Sequence, residues 1–252
     1  MPAAYDTYNY PAYWVGREYE HLSELTAIKS LLAKIPKVYS VLEIGAGYGR
    51  LTPSYLFRAK KAILSDPSAH LLKTARESYW GERKIRFVQA GVDNLTSKIK
   101  PHTQDLVIMV RVLHHLPDLD SSLGTIKKLL KKRGYLILEF ANKRHLKATI
   151  REFFKGNFTF PLDISTKDVR SKRSIRKKTI AFLNYHPDLI RHRLEVLGFE
   201  ILSSLSVSNI RSKTVKKLLP TSFLVSIEKN LQKPLGFINS GPSVFILARK
   251  RG

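Results

Sequence analysis

The 252-residue sequence contains no cysteine and few acidic side chains. The absence of cysteine excludes disulfide bonds, thiolate metal ligands and cysteine nucleophiles, and it fits a reducing compartment. No stretch approaches the ~18 apolar residues that a membrane-spanning helix needs. Residues 1–10 lack the basic start and the apolar run of a signal peptide. We therefore expect a cytoplasmic protein without a transmembrane segment, and we predict no metal site.

The shortage of acidic residues leaves the chain strongly basic. It has 44 Lys and Arg against 20 Asp and Glu, a net charge of +24. The excess is densest in residues 141–186, where 12 basic side chains accompany 3 acidic ones. Such a surface attracts polyanions such as RNA, DNA or acidic lipid headgroups. The alternative is a general bias of the source proteome towards lysine and arginine.

From residue 40 onward, short apolar runs alternate with patterns typical of helices. The predicted strands are residues 41–44, 62–64, 85–88, 106–110, 135–140, 199–207 and 243–247. Helices are predicted over 51–60, 68–79 and 121–132, between the first five strands. This alternation predicts an α/β fold with a doubly wound, mostly parallel, seven-stranded sheet.

Two segments stand outside this alternation. Residues 1–36 are predicted to form an aromatic and helical cap on the main domain of residues 37–252. Residues 141–186 are predicted to be a basic insertion after the fifth strand. Because ligands bind beyond the carboxyl ends of parallel strands, we expect this insertion to act as a lid over the site. A basic lid favours an anionic acceptor.

The first strand runs into a glycine-rich loop with the sequence VLEIGAGYGR over residues 41–50. Glycines let a backbone turn tightly and approach a ligand closely. The dinucleotide pattern G-x-G-x-x-G is not met, because Arg50 stands at the position of its third glycine. The loop also lacks the lysine of a P-loop. Binding of NAD, FAD or a nucleoside triphosphate is therefore disfavoured.

Two further strand ends carry candidate chemistry. Asp66 ends the second strand, where a carboxylate can accept hydrogen bonds from both ribose hydroxyls; an N-cap of the following helix is the alternative. The fourth strand runs into VRVLHHLPD over residues 110–118. In this segment His114 is a candidate general base, and packing of the loop is the alternative.

The pattern E-x-G-x-G-x-G, the acid after the second strand and the LHHLPD segment together resemble class I S-adenosylmethionine-dependent methyltransferases. The resemblance covers residues 37–140 well and implies a Rossmann-like methyltransferase fold with S-adenosylmethionine as cofactor. It implies that Val92 and Asp93 meet the adenine, although Asp93 also fits an ordinary turn. His114 would face the methyl acceptor. The residues implied to bind the cofactor are Glu43, Gly45, Ala46, Gly47, Gly49, Asp66, Pro67, Val92, Asp93, Val110 and Arg111.

The leading hypothesis is methyl transfer to a small-molecule or lipid-linked acceptor, beneath an aromatic roof from Tyr8, Tyr13 or Trp14. One rival is an RNA methyltransferase that acts on a modified tRNA base, which the positive charge favours. Another is a non-catalytic protein that only binds the cofactor. The sequence lacks the Asp/Asn-Pro-Pro-aromatic signature, which argues against methylation of adenine N6 or cytosine N4. It leaves the oligomeric state open.

Overall fold

The computed structural model describes residues 6, 10–36, 38–177 and 179–252. Their strands are β1 (Ser40–Ile44), β2 (Lys61–Asp66), β3 (Ile85–Gln89), β4 (Gln104–Met109), β5 (Leu130–Ala141), β6 (Lys167–Asp168), β7 (Leu183–Asn184), β8 (Phe199–Val207) and β9 (Ser243–Lys250). Their α-helices are α1 (Tyr10–Tyr13), α2 (Glu18–Leu32), α3 (Ala69–Ser78), α4 (Leu95–Lys98), α5 (Leu119–Leu129), α6 (Leu146–Phe153), α7 (Lys172–Arg176), α8 (Pro187–Val196), α9 (Lys213–Leu218) and α10 (Thr221–Ile238).

The main sheet has seven strands in the order β3-β2-β1-β4-β5-β9-β8. Strands β1 to β5 run parallel, and β9 pairs antiparallel with both β5 and β8. The apolar runs of the central strands are buried because helices cover both faces of the sheet. The predicted doubly wound, mostly parallel sheet is confirmed. Strand order reverses between β1 and β4, the place where such sheets bind ligands.

A separate hydrophobic core lies on each face of the sheet. One joins the strands to α5 and α8, through side chains such as Ile126 and Leu194. The other joins them to α2, through Ile28 and Leu31. Helix α2 also bonds to α10, because Tyr19 donates to Glu228 over 2.6 Å. Within the described residues, no helix has both the length and the hydropathy to cross a membrane.

Two predicted helices differ from the structure. The helix expected over residues 51–60 is replaced by two short 3₁₀ turns, Thr52–Ser54 and Leu56–Arg58. Pro53 supplies no backbone N–H, and Tyr55 leaves helical geometry at φ −130°. The helix expected over 121–132 is α5, which begins earlier and ends at Leu129. Pairing of Leu130 with β4 overrides the helix propensity of the lysines that follow.

The chain after β5 forms the basic insertion, which contains α6, α7 and the two-stranded β6–β7 sheet. Its end is anchored to the segment after β4. The carbonyl of Ala181 lies 2.8 Å from His115 Nδ1, and Tyr185 donates its hydroxyl hydrogen to Leu116 O over 3.1 Å. The insertion therefore borders the carboxyl end of the sheet.

Candidate active site

The loop after β1 requires glycine for two different reasons. Gly45 and Gly47 both have positive φ, +69° and +56°. A Cβ on Gly45 would clash with a methyl group of Val112, so any side chain there would force Val112 to shift. A Cβ on Gly47 would meet only ordinary contacts, near Tyr10 and Leu71. Gly47 is thus restricted by its conformation, and it faces open space.

The carboxylate of Asp66 lies beside this loop and is largely buried. One oxygen accepts from the N–H of Gly47 over 2.9 Å, and the other from the N–H of Ser68 over 2.8 Å. Burial raises the pKa of Asp66, and the two backbone hydrogen bonds oppose that rise. The N-cap of α3 is Ser68, whose hydroxyl accepts from Leu71. Asp66 therefore does not occupy the N-cap position.

An open cleft lies at the carboxyl ends of β1, β2 and β4, at the point where the strand order reverses. Small-molecule sites of doubly wound sheets lie at this place. The lining residues are Tyr10, Ile44, Gly45, Gly47, Asp66, Pro67, Leu71, Ala90, Gly91, Val92, Val110, Arg111, Val112, His115 and Leu116. The structure thus brings Gly45, Gly47, Asp66, Pro67, Val92, Val110 and Arg111 together. It leaves Glu43, Ala46, Gly49, Asp93 and His114 off the lining.

Glu43 lies behind the glycine loop, within the protein. Its carboxyl group accepts hydrogen bonds from the hydroxyls of Tyr55 over 2.5 Å and Thr52 over 2.9 Å. Burial raises the pKa of Glu43 to about 7, although these two hydrogen bonds lower it. Its contact with the 3₁₀ turns makes Glu43 a support of the loop rather than part of the cleft surface.

The His-His pair lies on a 3₁₀ turn, Leu113–His115, just after β4. His115 lines the cleft, whereas His114 is buried behind it with its ring centroid 4.0 Å from that of His115. Phe182 from the insertion lies 4.5 Å from the His114 ring. Burial lowers the pKa of both imidazoles, and that of His114 falls well below its usual value. Both rings are therefore neutral near pH 7.

Arg111 connects the cleft to two buried carboxylates. Its backbone N–H donates to Glu139 over 2.7 Å, and its Nε donates to Glu24 over 2.6 Å. Glu24 also accepts from Arg50 over 2.6 Å. Burial raises the pKa of Glu24, but the two arginines outweigh it and hold the pKa below its usual value. Glu24 is thus an ionised carboxylate between two guanidinium groups.

Aromatic side chains from the N-terminal segment cover one side of the cleft. Among the described residues of this segment, Tyr10 lines the cleft, and its ring stacks on that of Tyr13 with centroids 5.8 Å apart. Trp14 lies outside the lining, with the Arg50 guanidinium carbon 3.5 Å from its ring centroid. The predicted Tyr8 lies outside the described residues. The predicted roof residues Tyr13 and Trp14 therefore do not line the cleft, and Tyr10 supplies an aromatic contact instead.

The residues that sequence reasoning missed came from distant parts of the chain. Tyr10, Glu24 and Glu139 contribute to the site or support it. A signal existed for Glu24, because it lies three and four residues before Ala27 and Ile28 on the buried stripe of α2. An acid on an apolar stripe is costly unless it is paired. Glu139, an acid within the apolar β5, carried the same signal.

A glycine loop open to a cleft, a carboxylate at the end of β2 and a sheet of this strand order define a nucleoside-binding site of the Rossmann-like type. Residues 42–138 match a family model described as a methyltransferase domain. Over these residues the chain is therefore similar to methyltransferase domains, and its fold is that of S-adenosylmethionine-dependent methyltransferases.

A curated relative is the lovastatin nonaketide synthase, polyketide synthase component, from Aspergillus terreus, 32% identical over 128 residues. The match covers 46% of this chain and 4% of that protein. The chain thus spans only a small fraction of the curated relatives it matches, 3% of a fumosorinone synthetase for example.

Solved structures share the fold along nearly the whole chain. A Thermotoga maritima methyltransferase, described as a possible histamine N-methyltransferase, has a TM-score of 0.66 at 21% identity, covering 98% of both chains. The N-methyltransferase NodS from Bradyrhizobium japonicum, in complex with S-adenosylhomocysteine, has a TM-score of 0.57 at 12% identity. That match covers 91% of this chain and 86% of NodS.

Proposed function

We propose that this protein transfers the methyl group of S-adenosylmethionine to an organic acceptor of low molecular mass, free or linked to a lipid. The observation that carries the proposal is the continuity of one cleft. It runs from Asp66 and the glycine loop to Val112 and His115. A single cavity of this kind can hold a nucleoside at one end and an acceptor at the other.

The residues at the first end fit the adenosyl part of the cofactor. The Asp66 carboxylate is the group that would accept hydrogen bonds from the ribose hydroxyls. Pro67, Leu71 and Val92 supply apolar walls for the adenine. Gly47 leaves the space that a side chain would fill. The cofactor supplies an activated methyl group, so the protein must mainly align the acceptor with it.

The other end offers an imidazole for an acceptor that must lose a proton. His115 Nδ1 lies 2.8 Å from a carbonyl oxygen, which can only accept, so Nδ1 carries the hydrogen. Nε2 is then the basic nitrogen of the neutral ring. His114, the candidate base from the sequence, lies behind this ring and supports it by packing. Because the ring of His115 lines the cleft and that of His114 does not, we assign any proton removal to His115.

Relatives support an acceptor of low molecular mass. The lovastatin nonaketide synthase is named as a polyketide synthase component, and the Thermotoga protein as a possible histamine N-methyltransferase. The test is incubation with isotopically labelled methyl donor and a cell extract separated into small metabolites, lipids and RNA. The proposal expects the label in the small-metabolite or lipid fraction, and none with Asp66→Ala. Label confined to RNA would contradict it.

The net charge of +24 favours a second candidate, an RNA methyltransferase. Phosphate contacts by lysine and arginine give an affinity that falls steeply with salt. Filter binding of tRNA at two salt concentrations, with an unrelated RNA as control, tests this function. Tight binding that prefers tRNA would favour it, and weak binding indifferent to RNA structure would count against it.

A further inference from the structure

We propose that Arg111 forms a carboxylate-binding subsite in the wall of the cleft. This inference rests on the proposed function and specifies one chemical group of the ligand. That group is a carboxylate, carried either by the methionine part of the cofactor or by the acceptor. The planar guanidinium offers two parallel N–H donors, which match a carboxylate in a bidentate pair.

The backbone of Arg111 is held in an unusual conformation at the cleft. Its φ is +60°, in the left-handed region that non-glycine residues seldom adopt. The hydrogen bond from its N–H to the buried Glu139 fixes this conformation. Glu139 is itself held, because its other oxygen accepts from the hydroxyl of Ser243. Backbone strain of this kind gathers at ligand sites because the surrounding structure maintains it.

The side chain of Arg111 is also held in place, and of its three nitrogens only Nε makes a hydrogen bond to a described residue. Nε donates to Glu24, which is 1% exposed, and the guanidinium carbon lies 4.7 Å from the ring centroid of Trp14. Among the residues that the structure describes, neither terminal nitrogen of Arg111 has a hydrogen-bond partner. The side chain remains 25% exposed on the cleft wall.

Arg50 belongs to the same network, but both of its terminal nitrogens have partners within the protein. One of its terminal nitrogens donates to Glu24, the other lies 2.6 Å from His21 Nδ1, and its side chain is 9% exposed. Glu24 carries one negative charge against the two positive charges of Arg50 and Arg111. The terminal donors that remain open in this network are those of Arg111, whose side chain lines the cleft.

The test compares ligands that differ by the carboxylate alone. S-adenosylhomocysteine and its decarboxylated analogue are titrated into the wild-type protein, Arg111→Met, Arg111→Lys and the exposed control Arg83→Met. If the cofactor supplies the carboxylate, Arg111→Met weakens S-adenosylhomocysteine at least tenfold and the analogue less than twofold. Arg111→Lys keeps the charge but loses the two parallel N–H donors. Its affinity for S-adenosylhomocysteine lies between those of Arg111→Met and the wild type. Arg83→Met matches wild type.

If the acceptor supplies the carboxylate, both ligands bind Arg111→Met as they bind wild type. Transfer of labelled methyl to carboxylate-containing metabolites of a cell extract then falls at least tenfold. Unchanged cofactor binding together with unchanged transfer would overturn the subsite. A wild-type protein that binds neither ligand would contradict the proposed function instead. Should Arg111→Met fail to fold because Glu24 loses a partner, Arg111→Lys retains the charge and decides the question.

Discussion

Asp66 and Asp93 are acids after neighbouring strands, and the structure separates their environments. Asp66 is buried beside the glycine loop, whereas Asp93 is exposed and off the cleft lining. Asp66→Ala removes the group that would bind the ribose, with each charge-assisted hydrogen bond contributing roughly 1.5–3 kcal/mol. We predict that S-adenosylhomocysteine binds at least tenfold more weakly to Asp66→Ala in equilibrium dialysis. Asp93→Ala is the matched control, and an equal loss in both variants would refute the assignment.

Gly45 and Gly47 differ in what a side chain would meet. An alanine at Gly47 strains the backbone, at a cost of roughly 1–2 kcal/mol for the left-handed region, and places a methyl group in the cleft. We predict that Gly47→Ala folds but binds S-adenosylhomocysteine at least tenfold more weakly. Gly45→Ala forces a contact with Val112 and should lower the melting temperature further. Thermal unfolding and calorimetry measure the two effects. Normal binding by folded Gly47→Ala would show that the cofactor does not pass there.

Glu43 gives stability a dependence on pH. Burial raises its pKa from 4.5 to about 7, so the folded protein holds this proton more tightly than the unfolded chain. The contribution of Glu43 is therefore greatest below pH 4.5 and declines as the pH rises through 7. At 1.36 kcal/mol per pH unit, the decline is about 3 kcal/mol.

Glu43→Gln has no proton to lose at this position. Its free energy of unfolding, relative to that of the wild type, should therefore increase as the pH rises. Urea unfolding at pH 4.5 and pH 8 measures this difference, and subtraction of the wild-type values cancels the other titrating groups. The exposed Glu77→Gln serves as control and should show no such trend. A difference between Glu43→Gln and wild type that is constant with pH would mean that Glu43 is ionised in the folded protein.

At the level of elements, strands were easier to predict than helices. Because helices cover both faces of a parallel sheet, buried strands such as β4 are apolar along their length. The segment at 51–60 has helical spacing, but Tyr55 turns inward to Glu43 and the chain forms 3₁₀ turns instead. The end of α5 was missed because β4 competes for Leu130. The local sequence pattern gives no information on the contact of Tyr55 with Glu43 or on the pairing of Leu130 with β4.

The basic insertion contacts the segment after β4 through Ala181 and Phe182, and we propose that its charge acts on the acceptor. Arg173, Arg176 and Lys177 are exposed on or beside α7, while Lys178 lies outside the described residues. Reversal of the three to glutamate should raise the apparent KM for an anionic acceptor severalfold at low salt. The effect should fade near 1 M salt, where the Debye length is about 3 Å. Affinity for S-adenosylhomocysteine should change less than twofold.

A matched control places three charge reversals on other surfaces, at Lys73, Lys229 and Lys233, all exposed. The control lowers the net charge equally but leaves the insertion intact. Equal kinetic effects in both variants would show that overall charge, and not the insertion, attracts the acceptor. If the insertion variant keeps wild-type kinetics at low salt, the charge of the insertion does not attract the acceptor.

For the whole molecule, the site divides into a part that the sequence predicts and a part that folding assembles. Gly45, Gly47 and Asp66 lie at or just after strand ends, and the resemblance to methyltransferases predicts that they bind the cofactor. Arg111 was expected near the cofactor, but its link to Glu24 joins residues 87 positions apart. A single sequence carries no record of such pairs. The N-terminal segment and the strand ends meet at one cleft only in the folded chain, where the insertion contacts the lining residues His115 and Leu116.

The most direct test of the account is calorimetric titration of the purified protein with S-adenosylhomocysteine. The cleft beside Gly47 and Asp66 predicts one binding site per chain, lost in Asp66→Ala while that variant remains folded by circular dichroism. Absence of binding heat and of any shift in melting temperature would contradict the central claim. Binding that persists undiminished in Asp66→Ala would contradict the position of the site.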